Sequence, residues 1–149
     1  MNRSENMRRI TAKNTKPELR LRKHLYSLGL RYRCHVNTLP GKPDLVFSRA
    51  RLAVFVHGCF WHQHEDCIEA SNPHTNRRYW IPKLRRNVER DAEHAVALRR
   101  LKYRVVVCWE CEVLARLERV SIRIVSALEV GQKRAVNRTQ QKKLRTRVR

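Results

Sequence analysis

Between Val56 and Cys67 the chain reads Val56-His57-Gly58-Cys59-Phe60-Trp61-His62-Gln63-His64-Glu65-Asp66-Cys67, with three histidines, two cysteines and two aromatics in twelve residues. Imidazole and thiolate are the donors zinc prefers. Imidazole also carries protons near neutral pH, and Phe60-Trp61 offer rings that can stack on bases. A metal site, a proton carrier and a stacking wedge in one segment point to chemistry on nucleic acid.

Within the segment, Cys59, His64 and Cys67 have metal-ligand spacing, and Cys108-Trp109-Glu110-Cys111 adds two more thiols. That makes five soft donors for four tetrahedral positions. Cys108 continues the apolar run Val105-Val106-Val107, and residues three apart in a strand face opposite sides. Cys108 is therefore read as a core thiol, and Cys111 as a ligand beyond the strand end. Cys59, His64, Cys67 and Cys111 then form a closed, four-coordinate, structural Zn²⁺ site, with unlinked buried thiols as the competing reading. His57 and His62 are left for catalysis. One can orient or deprotonate a water, the other can stabilise charge on a phosphate. Asp44 follows the rigid turn Pro40-Gly41-Lys42-Pro43 and is either a turn residue or a Mg²⁺ ligand. Adjacent strands bring the start of one beside the end of the next, so Asp44 and the 56–62 segment should meet at one sheet edge.

Spacing also predicts the elements that position these residues. The arm 1–14 is polar and basic; Met7 and Ile10, three apart, would share a face of a helical turn unless the terminus frays. Thr15-Lys16-Pro17-Glu18 predicts a helix start with capping-box spacing, in which Glu18 can simply be the reciprocal cap. Leu21, Leu25 and Leu28 supply its apolar stripe and Gly29 its stop. Strands are predicted over 32–36, 44–47 and 52–56 as an antiparallel meander. A helix over 80–101 has Leu84, Val88, Ala92, Ala95 and Leu98 on its inner face. A buried fourth strand over 105–108 lies parallel to the third. A closing helix over 112–129 uses Leu114, Leu117, Ile122, Val125 and Leu128. The result is an α/β domain over 15–130, with one four-stranded mixed sheet flanked by helices. From Gly131 to Arg149 there are eight positive charges and no acid, which predicts a disordered tail that touches phosphates.

Composition bears on the partner. Lys+Arg number 34 against Asp+Glu 13, a formal charge of +21 on 149 residues. Such a balance implies a polyanion, whose condensed counterions leave as phosphates are neutralised. A ribosomal-type or membrane-surface protein would share the charge but not the Cys/His cluster. The basic N-terminus leads into no apolar stretch, and no run approaches membrane-spanning length. A cytoplasmic, nucleoid-associated protein without a membrane partner is expected. In that reducing compartment five cysteines serve metal or core more readily than disulfides.

These residues resemble a known family. Gly41-Lys42-Pro43-Asp44, the segment Val56 to His64, Asn87-Val88-Glu89-Arg90-Asp91 and Trp109-Glu110-Cys111 are similar, in this order, to the motifs of very short patch repair (Vsr) DNA mismatch endonucleases. The similarity runs from about Asn6 to Leu128. It implies a restriction endonuclease-like core and an enzyme that nicks one strand 5′ to the thymine of a T·G mismatch left by deaminated 5-methylcytosine. It also implies Asp44 as Mg²⁺ ligand, assisted by the main-chain carbonyl of Val56. His62 would activate water, His57 would sit at the scissile phosphate, and Glu18 would be a supporting acid. Cys59, His64, Cys67 and Cys111 fall on the structural zinc site. Phe60, Trp61 and Trp80 would enter the DNA from the major groove, with Met7 and Ile10 as a wedge from the N-terminal arm. The implied partners are mismatched duplex DNA and a MutL-like repair protein, with the enzyme acting as a monomer.

Three departures accompany the resemblance. Val56 replaces the threonine of the family's best-known member, His64-x-x-Cys67 is one residue longer, and Phe55-Val56-His57 occupies the place of the usual acid-x-lysine motif. A restriction-type nuclease blind to mismatches and a non-catalytic zinc-stabilised DNA-binding module are the rival readings.

Overall fold

Alternate residues of the run beginning at Leu52 face opposite sides of the molecule, and that alternation organises the fold. The computed structural model describes residues 13–147, the last four by backbone alone. It contains α1 (Lys16–Ser27), β1 (Arg33–Cys34), β2 (Leu45–Phe47), β3 (Leu52–His57), a 3-10 turn (Ile68–Ala70), α2 (Arg77–Arg100), β4 (Arg104–Trp109), α3 (Glu110–Ala115) and α4 (Leu117–Arg147). The strands form one sheet in the order β1-β2-β3-β4. The first three strands are antiparallel, and β4 lies parallel to β3 with Val56 opposite Cys108 and His57 opposite Trp109. This is the predicted mixed sheet. The first two strands are shorter than predicted, because the chain leaves the ladder at His35 and enters it again only after Asp44.

Leu52 and Val54 join Leu21 and Leu25 of α1 and Val120, Ile124 and Leu128 of α4 in the main core. Each such side chain, fully buried, stabilises the fold by roughly 1.5–3 kcal/mol. Ala53 and Phe55 face the other way, against Leu98 of α2. His57 shares their parity and so also points toward α2.

Several local expectations are corrected. Thr15 is the N-cap of α1 but makes no side-chain capping bond. Glu18 Oε2 instead accepts the Asn14 N–H at 3.0 Å, so the capping box does not form. Gly29 does stop α1: at φ +81° its N–H donates to Tyr26 C=O while Leu30 donates to Leu25 C=O, the paired bonds of a left-handed helix end. In α2 the inner face carries Trp80, Leu84 and Leu98, while Val88 and Ala92 are exposed. The closing helix is two helices, and it buries Val113, Val120, Ile124 and Leu128 while Ile122 is 65% exposed.

The segment beyond Gly131, predicted disordered, continues as helix to Arg147. Its Gln, Lys, Arg, Ala and Leu content favours helix, and Gly131 is not a terminator. A Cβ there would collide with Arg104 Nη2 and lie 2.7 Å from the Ala50 C=O, so glycine lets α4 pass close over the β2–β3 turn. Met7 and Ile10 fall outside the described residues. Among those described, no helix is long and apolar enough to cross a membrane.

Candidate active site and metal centre

The site is assembled where β3 and β4 end side by side. Because these strands are parallel and His57 is level with Trp109, the segments that follow them diverge from one point. The Val56–Cys67 segment and the start of α3 therefore face each other. Glu110 secures the junction by accepting the Cys59 N–H at 3.4 Å.

Cys59, His64, Cys67 and Cys111 converge with ligand atoms mutually within 4.8 Å. His64 Nδ1 lies 3.6 Å from Cys59 Sγ and 3.4 Å from Cys111 Sγ, and Cys67 Sγ lies 4.0 Å from Cys111 Sγ. A tetrahedral ion with bonds of about 2.3 Å to sulfur and 2.0 Å to nitrogen has edges of about 3.5–3.8 Å, so these donors fit one metal ion. Burial pushes the Cys59 thiol up to about 12, opposed by a bond from the Cys111 main chain and reinforced by the Cys111 and Cys67 thiols, so a cation would be needed to hold Cys59 as a thiolate near pH 7. Cys108 is fully buried in the main core, and burial pushes its thiol up to about 11. It takes no part in the cluster.

The second group opens onto a cleft of about 1130 Å³. Asp44 Oδ2 accepts the Val56 N–H at 2.7 Å, so the β2 start and β3 end meet as their register requires. The contact seen at Val56 is thus with its amide. Burial raises the Asp44 carboxyl to about 6; the Val56 bond opposes the shift and Glu18 adds to it. A carboxylate held where its charge is disfavoured suits a cation site.

His57 and His62 stack, ring centroids 3.8 Å apart and planes within 5°. Their environments differ. Burial, then the neighbouring His62, holds His57 down to about 3, so near pH 7 it is a neutral ring and too weak a base to take a proton. His62 Nδ1 is 2.6 Å from Asp91 Oδ2. With the proton on Nδ1 and donated to Asp91, Nε2 is left as an acceptor.

Asp91, which closes the Asn87-Val88-Glu89-Arg90-Asp91 motif, is the His62 partner in the cleft that sequence reasoning does not single out. Asn87 shares its helix face one turn earlier and donates from Nδ2 to Trp61 C=O at 3.1 Å. Two polar side chains four apart on α2 therefore hold two consecutive residues, Trp61 and His62. The available signal is a polar pair interrupting an apolar helix face at i, i+4. Sequence reasoning also misses Trp109 as a participant. It stacks on His64 at 4.2 Å and meets His57 edge-on at 5.4 Å, lying between the thiol cluster and the histidine pair.

The aromatics divide by burial. Phe60 and Trp80 are buried with Leu84 in a satellite cluster, and Trp61 packs on it from outside, half-buried. Lys83 Nζ lies 5.6 Å over the Trp61 ring and donates to Tyr79 Oη at 2.9 Å. In this conformation Trp61 and Trp80 both line the cleft, Trp61 half-buried and Trp80 almost wholly buried, and Phe60 packs against both. Glu18 reaches Asp44 from α1, buried, its ligand oxygen within 4.8 Å of that of Asp44.

Comparison with known proteins gives the family. Residues 1–69 match the family described as DNA mismatch endonuclease Vsr. A type II nicking enzyme of Xanthomonas oryzae pv. oryzae, V.XorIIP, is 45% identical over 107 residues, covering 72% of this chain and 78% of the relative. The DNA mismatch endonuclease Vsr of Escherichia coli is 41% identical over 114 residues, 76% of this chain and 72% of the relative. V.NmeAIP, a type II nicking enzyme of Neisseria meningitidis, is 41% identical over 107 residues, 72% of this chain and 76% of the relative. On this likeness the chain belongs to the Vsr family of DNA mismatch endonucleases and is a DNA endonuclease.

Proposed function

We propose that this endonuclease nicks one strand of duplex DNA 5′ to the thymine of a T·G mismatch, with Mg²⁺ as catalytic cofactor and Zn²⁺ as structural ion. The observation that carries the reading is the gathering of Asp44, His57, His62 and Asp91 at the mouth of one cleft beside Trp61. Lys13, Lys16, Lys42 and Lys83 line the same cleft and supply phosphate contacts independent of sequence.

Each side chain has a task its surroundings support. His62, its tautomer set by Asp91, accepts the proton of the attacking water through Nε2. His57, neutral and buried, donates a hydrogen bond to a phosphate oxygen rather than a positive charge. Asp44 and Glu18 would hold Mg²⁺, with the Val56 carbonyl assisting; the ion when bound neutralises phosphate charge and lowers the pKa of its water. Cys59, His64, Cys67 and Cys111 would hold Zn²⁺, which ties the Phe60-Trp61 segment to α3. Trp61 stacks into the opened base step, backed by Phe60 and Trp80, a contact of about 1–3 kcal/mol. A wobble pair unstacks more cheaply than a matched one, which favours the mismatch. A restriction endonuclease-like core, Met7 and Ile10 as a second wedge, monomeric action at the nucleoid and stimulation by a MutL-like protein complete the reading, on kinship alone.

The test is a strand-resolved nicking assay with Mg²⁺ on labelled duplexes carrying T·G or matched C·G in a CC(A/T)GG context, with Asp44→Ala as control. One nick 5′ to the mismatched thymine, absent in the variant, is the expected result. Equal cutting of matched DNA would instead show a nuclease without mismatch preference.

A further inference from the structure

β1 ends in a turn that carries an imidazole toward the carboxylates. His35 has a left-handed φ of 48°, uncommon for a side chain with a Cβ, and its N–H donates to Asp44 C=O at 3.1 Å. The turn sets His35 Nε2 2.8 Å from Glu18 Oε1. The approach lies off the line of a hydrogen bond, and both atoms are shielded from solvent without a hydrogen-bond partner among the described residues. The Glu18 side chain is 2% exposed, and Arg22 Nη1 stands 3.6 Å from the same Oε1. Ligand atoms of Glu18, His35 and Asp44 lie within 4.8 Å of one another. A buried oxygen and a buried ring nitrogen left without hydrogen bonds are each unfavourable, and a shared cation would satisfy both.

We propose that His35 Nε2, with Glu18 and Asp44, completes a preformed divalent-cation site that favours Mn²⁺ over Mg²⁺. The inference rests on the reading that a cation sits at Asp44, and adds a third ligand and a class of cation. Mg²⁺ demands near-octahedral oxygen donors, keeps its waters and binds through one or two carboxylates. One imidazole with two carboxylates suits first-row transition divalent ions better, and their affinity rises along the series from Mn²⁺. The three donors come from α1, the end of β1 and the residue before β2, elements joined by main-chain bonds and a common core. The site therefore needs no DNA to assemble. Mn²⁺ also discriminates between the two clusters, because thiolates select softer ions.

The experiment is an electron paramagnetic resonance titration of the full-length protein with Mn²⁺, without DNA and with Mg²⁺ as competitor. It compares wild type, Asp44→Asn and His35→Asn, asparagine being a side chain that tolerates left-handed φ. We expect one Mn²⁺ bound by wild type and poorly displaced by equimolar Mg²⁺. Each variant should weaken it about tenfold or more, and His35→Asn should erase the ¹⁴N coupling of a coordinated imidazole, a signature that a merely structural histidine would not carry. Mn²⁺ binding lost in Asp44→Asn but unchanged, nitrogen coupling included, in His35→Asn overturns the inference and leaves the cation reading intact. No binding by wild type, or binding indifferent to Asp44→Asn, overturns both. Should His35→Asn not fold, nitrogen coupling that persists in a His57→Ala/His62→Ala variant supports the inference, and its loss there overturns it.

Discussion

Two groups of ligand-type side chains flank the end of β3, and they are built on opposite plans. Cys59, His64, Cys67 and Cys111 face one another, and Cys111 meets Cys67 and His64 from 44 and 47 positions away in the chain. Asp44, His57, His62 and Asp91 face a cleft instead, and their partners lie behind them: the Val56 amide, the stacked ring and α2. A closed set of soft donors spends all its bonding capacity on holding the chain together. An open set of hard and neutral donors keeps one side free for water and phosphate. Trp109 stacks on His64 and meets His57 edge-on, so one ring touches both groups.

Asp44→Asn should break the comparison most sharply, because activity and stability ought to move in opposite directions. Nicking should fall by about 10³-fold or more, since charge stabilisation at the phosphate is lost. A carboxyl raised to about 6 means that the metal-free fold binds more protons than the unfolded chain between its ordinary value and about 6. Stability present below that window is therefore lost as pH rises through about 6, and ionised Asp44 costs the metal-free fold up to about 3 kcal/mol. In Mg²⁺-free buffer at pH 7.5 the variant should melt no lower than wild type, and higher if burial dominates; a lower Tm would mean that Asp44 is a structural residue.

Asp91→Asn tests whether the open group works through positioning. Its loss should lower kcat by about 10²-fold, within the range of general-base contributions, with little change in KM or in zinc content. A proportional rise in KM alone would place Asp91 in substrate binding.

Cys111→Ser tests the closed group. We expect the zinc-to-protein ratio measured by atomic emission to fall and the Tm to drop, because metal affinity at such a site is folding free energy. An unchanged ratio would remove Cys111 from the ligand set.

The aromatic cluster offers a finer contrast. Trp61→Ala should reduce T·G preference by about 1–3 kcal/mol in relative binding and leave the Tm within a degree or two. Trp80→Ala should cost about 3–5 kcal/mol of stability, because Trp80 is buried. Reversal of these two phenotypes would make Trp80 the inserting ring.

The smallest effect belongs to the end of α4. Truncation after Ala135 removes six of the eight positive charges that follow Gly131. The salt slope of DNA binding should flatten by about 0.9 log units for each phosphate that is no longer neutralised. An unchanged slope would mean that this helix does not touch DNA.

Much of this is legible in the chain itself. The β3 run, its parallel neighbour, the thiol and imidazole spacing and the exclusion of Cys108 all follow from side-chain periodicity and donor chemistry, which are local properties. The ends of α2 and the phase of its inner face are not. Reading α2 by hydrophobicity selects Val88 and Ala92, whereas the true face runs through Trp80, Leu84, Asn87, Asp91 and Leu98, polar in the middle because it serves the cleft. Likewise Gly131 reads as a stop by propensity but is a close approach to Ala50 and Arg104.

The sequence by itself determined the strand pattern, the two donor sets and the basic charge that implies a polyanion, because each depends on residue type and spacing within one segment. Only the tertiary structure decided that His57 is buried while His62 pairs with Asp91, that Trp61 is half-buried where Phe60 and Trp80 are buried, and that His35 comes beside Glu18 and Asp44. Each of those outcomes depends on burial and on partners from other elements, quantities that exist only once β3, β4, α1 and α2 are packed together.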